Sequence, residues 1–343
     1  MRATIDCIPA IAFAAVGLIA CMPTDVGYQQ PSDIDEDCQT LNANIIVRSA
    51  SDARSLPQKC FTVSGDVEVV GSDLADLEPL FYLRQANVLR VKDNPQLLSF
   101  AGLDRVKVLQ HVEIDNNPVL SDVYGLDRTD SVARVTISKN PNLVSLAGLR
   151  SLRGVGTGGL SIRDNGALET LQDLETLERV EGSFQVENNS GLTNLQTVRR
   201  IESVGDLVVA GNTGLRALQL NVVSVQGEVR LSDNPDMTEL RAFGDLQMVG
   251  GNLKIERNGA LQNLHGFTAT FTHVGGNLSI QNNTALTDIY ELAVNLYTVG
   301  GSVIAIDNTS LSQCRADDLD VYIEEIGGGL DIGDNGSTWD PCH

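Results

Sequence analysis

Apolar and polar positions along the chain repeat one figure. In Gly276–Leu286, two apolar residues alternate (Leu278 and Ile280), an asparagine (Asn283) follows three positions after the second, and a leucine (Leu286) comes three after that. The same asparagine slot recurs at Asn94, Asn117, Asn140, Asn165, Asn189, Asn212, Asn234, Asn258, Asn283, Asn308 and Asn335, with spacings of 22 to 27 residues. Ahead of each asparagine stands an alternating apolar pair such as Leu89 and Val91, Val112 and Ile114, Phe184 and Val186, or Leu253 and Ile255. Alternation of period two predicts a strand with one buried face. Leucines after the asparagine, such as Leu143 and Leu146 or Leu261 and Leu264, supply a second inward set. A unit of roughly 24 residues cannot bury its own apolar face, so units must stack on one another. The pattern therefore predicts an all-β-dominated solenoid of about twelve turns, its strands forming a parallel sheet with ~4.8 Å between neighbours.

The punctuation of the repeat predicts its corners. Gly182, Gly205 and the pairs Gly250-Gly251, Gly275-Gly276 and Gly300-Gly301 precede the strands, where glycine is expected to supply positive φ. Pro95, Pro118, Pro141 and Pro235 follow the asparagine and mark a turn. The repeat of Asn308 reads Ile304-Ala305-Ile306-Asp307-Asn308, with its isoleucines one residue closer to the asparagine, and predicts a local bulge or register change.

Both ends depart from the repeat. Residues 1–20 carry Arg2 and a thirteen-residue apolar run from Ile8 to Ala20, too short to span a bilayer and suited to a signal peptide. Leu18-Ile19-Ala20-Cys21 resembles a bacterial lipobox, which implies cleavage before Cys21 and acylation of that cysteine. Several acyl chains, at about 0.8 kcal/mol per buried CH₂, make a lasting anchor. Residues 21–37 then form an acidic tether without Lys or Arg. With Cys7 removed and Cys21 committed to lipid, Cys38, Cys60, Cys314 and Cys342 remain. An exported chain keeps disulfides, and a long stack of repeats leaves Cys38–Cys60 and Cys314–Cys342 as the sterically reasonable pairs. Residues 38–60 are expected to cap the first repeat through a strand, Ile45-Ile46-Val47, and a short helix from Ser51 to about Leu56 that Pro57 stops. Residues 61–313 carry the repeats. Residues 314–342 form the second cap, with a helix over Arg315–Ile326 ended by Gly327-Gly328-Gly329 and one more strand, Leu330-Asp331-Ile332.

Charge narrows the partners. Forty-five acidic side chains against 24 basic ones give a formal net charge of −21. Such a surface repels nucleic-acid phosphate and anionic lipid headgroups, so nucleic acid is not an expected partner and the membrane is met only through the anchor.

Gly-x-Leu-x-Ile-x-x-Asn-x-x-Leu-x-x-Leu, together with Ile45–Ser49, Cys60 and Val63–Val69 near the start, resembles the receptor L domain of insulin- and epidermal-growth-factor-receptor ectodomains, also found in fungal glycolipid-anchored cell-wall proteins. The resemblance spans about residues 38–342. It implies a right-handed parallel β-helix, related to leucine-rich repeats, with short helical caps. It further implies ligand contacts on a sheet face, with protein or glycan ligands or a role in wall assembly. Met22 rather than an acidic residue directly follows Cys21, which by the lipoprotein sorting pattern implies an outer-membrane or cell-surface location.

Candidate chemistry is sparse. The asparagine column reads as a buried amide ladder rather than a site. His111, His265, His273 and His343 are scattered and suggest no Ser/His/Asp or Cys/His set, and the repeats vary too little in length to build a catalytic cleft. The chain is therefore expected to be non-enzymatic, with no cofactor and no resident metal. Asp93, Asp115, Asp164, Asp233 and Asp334 read as solvated corners rather than a calcium site. The outward strand column Arg90, Glu113, Thr136, Ser161, Gln185, Val208, Arg230, Lys254 and Ser279 is the candidate recognition surface, polar, mixed in charge and free of aromatics. The reading is a lipoprotein for recognition or adhesion at the cell envelope. Structural organisation of the envelope is the alternative, followed by a β-helical polysaccharide enzyme.

Overall fold

The computed structural model describes residues 38–107, 109–195 and 201–336. The expected signal peptide, Cys21, the tether, Cys342 and His343 lie outside the described residues. What is described is β-rich, with strands that pair in parallel, each with a strand about one repeat further along the chain.

The main sheet holds the strands preceding the asparagines. It starts at Ile45–Val47 and Val67–Val70 and ends at Val303–Ile306 and Leu330–Gly333. Leu89 pairs with Val112, Val112 with Val135, and Val135 with Leu160. Further along, Phe184 pairs with Leu207, Leu207 with Val229, Val229 with Leu253, and Leu253 with Leu278. Residues at these positions point inward and are buried, with the leucines that follow each asparagine packed against them in one continuous core. Each repeat alone would leave its apolar face in water, and stacking removes it.

From the Asn140 repeat onward a second parallel run of strands lies just upstream of the main one. Its inward position is a valine column: Val132, Val155, Val180, Val204, Val225, Val249, Val274 and Val299, closed by Ile326. In two repeats the chain passes through both runs as one strand, Ser131–Ser138 and Gly154–Arg163. Elsewhere glycines break it.

Those glycines work differently from expectation. Gly182, Gly205, Gly250, Gly251, Gly275, Gly276, Gly300 and Gly301 do not have positive φ. They stack on one another: a Cβ on Gly275 would collide with the Gly250 carbonyl oxygen, and one on Gly300 with that of Gly275. Close backbone approach between repeats, not backbone handedness, demands glycine here. Positive φ falls instead on the residue before each asparagine: Asp93, Asn116, Lys139, Asp164, Asn188, Gly211, Asp233, Arg257, Asn282, Asp307 and Asp334. Asn and Asp dominate because they tolerate the left-handed region best among residues with a side chain.

Three further expectations need correction. The Asn308 repeat keeps register, because Val303 and Ala305 occupy the inward slots opposite Leu278 and Ile280 while Ile304 and Ile306 face outward. Irregularities lie instead at Phe61/Thr62 and at Val132/Arg134, opposite Val155 and Gly159. The first helix is Ala50–Arg54, capped by Ser49, whose hydroxyl accepts from the Asp52 N–H. The last helix is Gln313–Tyr322, capped by Ser312; the chain then extends so that Glu325–Ile326 can pair with Thr298–Val299. That pairing satisfies backbone groups that a longer helix would have turned away from the sheet.

Candidate functional site

The outward column of the main sheet is one in-register row. Ile46, Glu68, Arg90, Glu113, Thr136, Ser161, Gln185, Val208, Arg230, Lys254, Ser279, Ile304 and Asp331 are successive strand partners. The sheet thus brings together every residue of the predicted surface. It does not expose them equally. Val208 and Ser279 are only 6% and 4% accessible. The Ser279 hydroxyl donates to Glu256 Oε1 at 2.7 Å and accepts from Gln281 Nε2 at 2.6 Å, so it is covered by its neighbours and offers little to an outside partner.

Charge divides the row into three zones. At one end Arg90 is clamped between Glu68 and Glu113, with Nε donating to Glu113 Oε2 at 2.7 Å. The Glu113 hydrogen bond, against some desolvation, pushes the Arg90 guanidinium above its ordinary pKa. Toward the other end, Arg230 reaches Glu187 at 2.6 Å and Lys254 reaches Glu228 at 2.7 Å. There Arg257 donates to both Asp233 oxygens, at 2.6 and 2.9 Å. That bond, opposed by burial, holds the Asp233 carboxyl below the usual carboxylate range. Between the two zones Thr136, Ser161, Gln185 and Val208 form a low, uncharged stretch. Ion pairs of this exposure contribute well under ~1 kcal/mol each to stability.

The asparagines stand behind this face at the corner, and Asn94 through Asn308 are buried. Each Oδ1 accepts from the N–H of the preceding column residue, as from Asn189 to Asn212 at 3.0 Å and from Asn234 to Asn258 at 3.2 Å. Each Nδ2 donates to a strand carbonyl of the preceding repeat, as from Asn283 to Ile255 at 2.8 Å, and from Asn94 to Asn308 also to the next asparagine. Ser72 begins the column, its N–H and hydroxyl both donating to Asn94 Oδ1. Asn335 ends it, donating to Ala305 O at 2.8 Å. Every amide is committed to the fold, which leaves these residues nothing to offer a ligand.

Sequence reasoning missed a second polar column, at the opposite corner of the same strand. Asn44, Asp206, Asn252 and Asn277 each cap a backbone N–H of the next repeat: Asp66 at 3.0 Å, Glu228 at 2.8 Å, Asn277 at 2.9 Å and Ser302 at 2.7 Å. For Asp206, Asn252 and Asn277 the signal was a polar residue six positions before the ladder asparagine, directly after glycine.

Cys38 and Cys60 form a disulfide, as expected. Cys314 is also disulfide-bonded, its partner lying outside the described residues. Of the acidic corner residues, Asp93, Asp164, Asp233 and Asp334 have positive φ, while Asp115 lies on a strand and accepts from the Ser138 hydroxyl at 2.6 Å. Among the described residues no three His, Cys, Asp or Glu side chains converge to hold a metal ion, and no helix is long and apolar enough to cross a membrane. No protein-family model matches the chain, and no curated protein matches it.

Proposed function

We propose that the chain is a right-handed parallel β-helical solenoid of the receptor-L-domain type, anchored to the cell envelope through acylated Cys21, which recognises a protein or glycan ligand with the outward face of its main sheet and carries out no catalysis. The observation that carries this reading is the unbroken register from Glu68 to Asp331, which sets side chains in a straight row on a scaffold whose own polar groups are spent internally. A row of this kind suits contact with an extended partner, and its uncharged middle between charged zones gives that partner a register. Caps at both ends, each with a disulfide-bonded cysteine, fit a chain that works outside the reducing cytoplasm.

The test has two parts. Protease treatment of intact cells should remove the protein from the surface, and capture with the full chain should retrieve a partner that is lost when Gln185 and Ser161 are both replaced by arginine. No cleavage on intact cells together with no captured partner overturns the reading. A wall defect on deletion without any captured partner favours the structural role instead. Turnover of a polysaccharide by the purified chain would establish an enzyme.

A further inference from the structure

Two tyrosines far apart in sequence meet on the surface of the last repeats. The helix Tyr290–Asn295 begins with Tyr290, and the helix Gln313–Tyr322 ends with Tyr322. Their rings lie 5.8 Å apart, edge to face, and both are about 40% exposed. The core beneath takes Leu292 and Leu319 from the same two helices, while the rings stay outside it. Val321, beside Tyr322, is 71% exposed. Large apolar groups gathered and left in water mark a contact surface.

The groups around the rings fix the chemistry of what would cover them. Asp288 Oδ1 accepts from the Tyr290 N–H at 2.9 Å, and Asp288 Oδ2 lies 3.2 Å from His265 Nε2 one repeat earlier. Glu291 lies beside Tyr290 in sequence, Asp318 stands one turn before Tyr322 on the same side of its helix, and Glu324 follows that helix, exposed. Arg315 is the one basic side chain on that helix, and it shows what the patch accepts: its guanidinium sits 5.9 Å over the Tyr290 ring and 3.5 Å from Asp318. Aromatic faces rimmed by carboxylates attract cations, and a planar guanidinium stacks on them better than an ammonium does.

We infer that the Tyr290–Tyr322 patch is a second interaction surface, one that takes an arginine-bearing basic segment of a partner protein. Its rings stand on two helices and not in the sheet-face row, so the two surfaces succeed or fail separately. The acidic rim would steer the partner, while the rings would choose arginine over lysine.

Fluorescence anisotropy with labelled nona-arginine and nona-lysine peptides, titrated into the full chain, tests this. A net charge of −21 attracts both peptides, so the readout is their ratio. The wild type should prefer the arginine peptide by about tenfold. Tyr290→Leu with Tyr322→Leu should abolish the preference while leaving residual charge-driven binding. Tyr290→Phe with Tyr322→Phe should restore it, and Gln185→Arg on the sheet face should leave it intact. If the double leucine variant does not fold, Tyr322→Leu alone, at an exposed helix end, should lower the preference severalfold. Equal affinity of the two peptides for the wild type, no binding of either, or a preference that survives loss of the rings would overturn the assignment.

Discussion

Asn212 Nδ2 donates to Asn234 Oδ1 across 3.3 Å, and the same nitrogen donates to the Val186 carbonyl at 2.9 Å and the Ala210 carbonyl at 3.2 Å. Asn212 Oδ1 meanwhile accepts from the N–H of Asn189. One buried amide thus joins three repeats. Asn212→Leu keeps the branched shape and removes every hydrogen bond of the amide, leaving the Asn189 N–H without its acceptor and the Val186 carbonyl without this donor in a site closed to water, while the Ala210 carbonyl keeps the Asn188 N–H. Each orphaned group costs about 1–3 kcal/mol, so a loss on the order of 3 kcal/mol and a clearly lower melting temperature are expected. Thermal unfolding followed by circular dichroism checks it. An unchanged melting temperature would show that the column is decoration.

The glycine columns separate two reasons for using that residue. Gly275 has ordinary φ but faces the Gly250 carbonyl at a distance that admits no side chain. Gly244 has neither positive φ nor a neighbour within 4 Å of a built Cβ. Gly275→Ala should therefore force neighbouring repeats apart and destabilise by about 2 kcal/mol or more. Gly244→Ala should be neutral or stabilise by up to ~1 kcal/mol through the unfolded chain. Chemical denaturation of both variants tests the contrast, and equal effects would refute it.

These positions also show what could be read from the chain. Strand spacing was legible because inward slots accept only apolar residues and repeat at one offset from Asn94 to Asn335, and the Cys38–Cys60 bond followed from cysteines left at one end. The glycines were misread because a collision between Gly275 and Gly250 depends on which backbone stacks on which, and local sequence suggests only handedness. Ile304 and Ile306 misled because apolar residues can sit on an outer face while Ala305, a weak signal, fills the inner slot. The helix after Ser312 was drawn too long because the demand of Thr298–Val299 for a strand partner is not written in residues 323–326. The tyrosine pair was invisible, since 32 positions separate Tyr290 from Tyr322 and only stacking of the two helices unites them.

Acid should act at Asp233. Its folded pKa is held below the ordinary value by the hydrogen bonds from Arg257, so its contribution is fully present above the unfolded carboxylate value of about 4 and is lost as pH falls through the folded value. With 48% of the side chain exposed, the contribution is discounted to under ~1 kcal/mol. Asp233→Asn should be less stable than wild type near neutral pH, and the difference should narrow as pH falls below the ordinary carboxylate value of about 4. Stability curves of the two proteins from pH 2 to 7 decide it, and a difference that persists undiminished at pH 2 would exclude the ion pair as its source.

The first disulfide should protect one end rather than the whole. Cys38 and Cys60 are 22 residues apart and stand just before the paired strands Gln39–Leu41 and Phe61–Val63, where the Gln39 N–H donates to the Cys60 carbonyl at 3.0 Å. Closing a loop of that length removes about 3 kcal/mol of unfolded-chain entropy. The gain goes to strands with few partners, since among the described residues Gln39–Leu41 pairs with a strand on one side only and is itself largely exposed. Where each repeat rests mainly on its neighbours, an end can open without the middle. Replacing both cysteines by serine should therefore speed hydrogen exchange at Ile45–Val47 and Phe61–Val70 while the amides of Leu253–Ile306 keep their protection. Exchange that accelerates equally along the chain would mean that the repeats unfold as one unit, and the bond would then stabilise all of it.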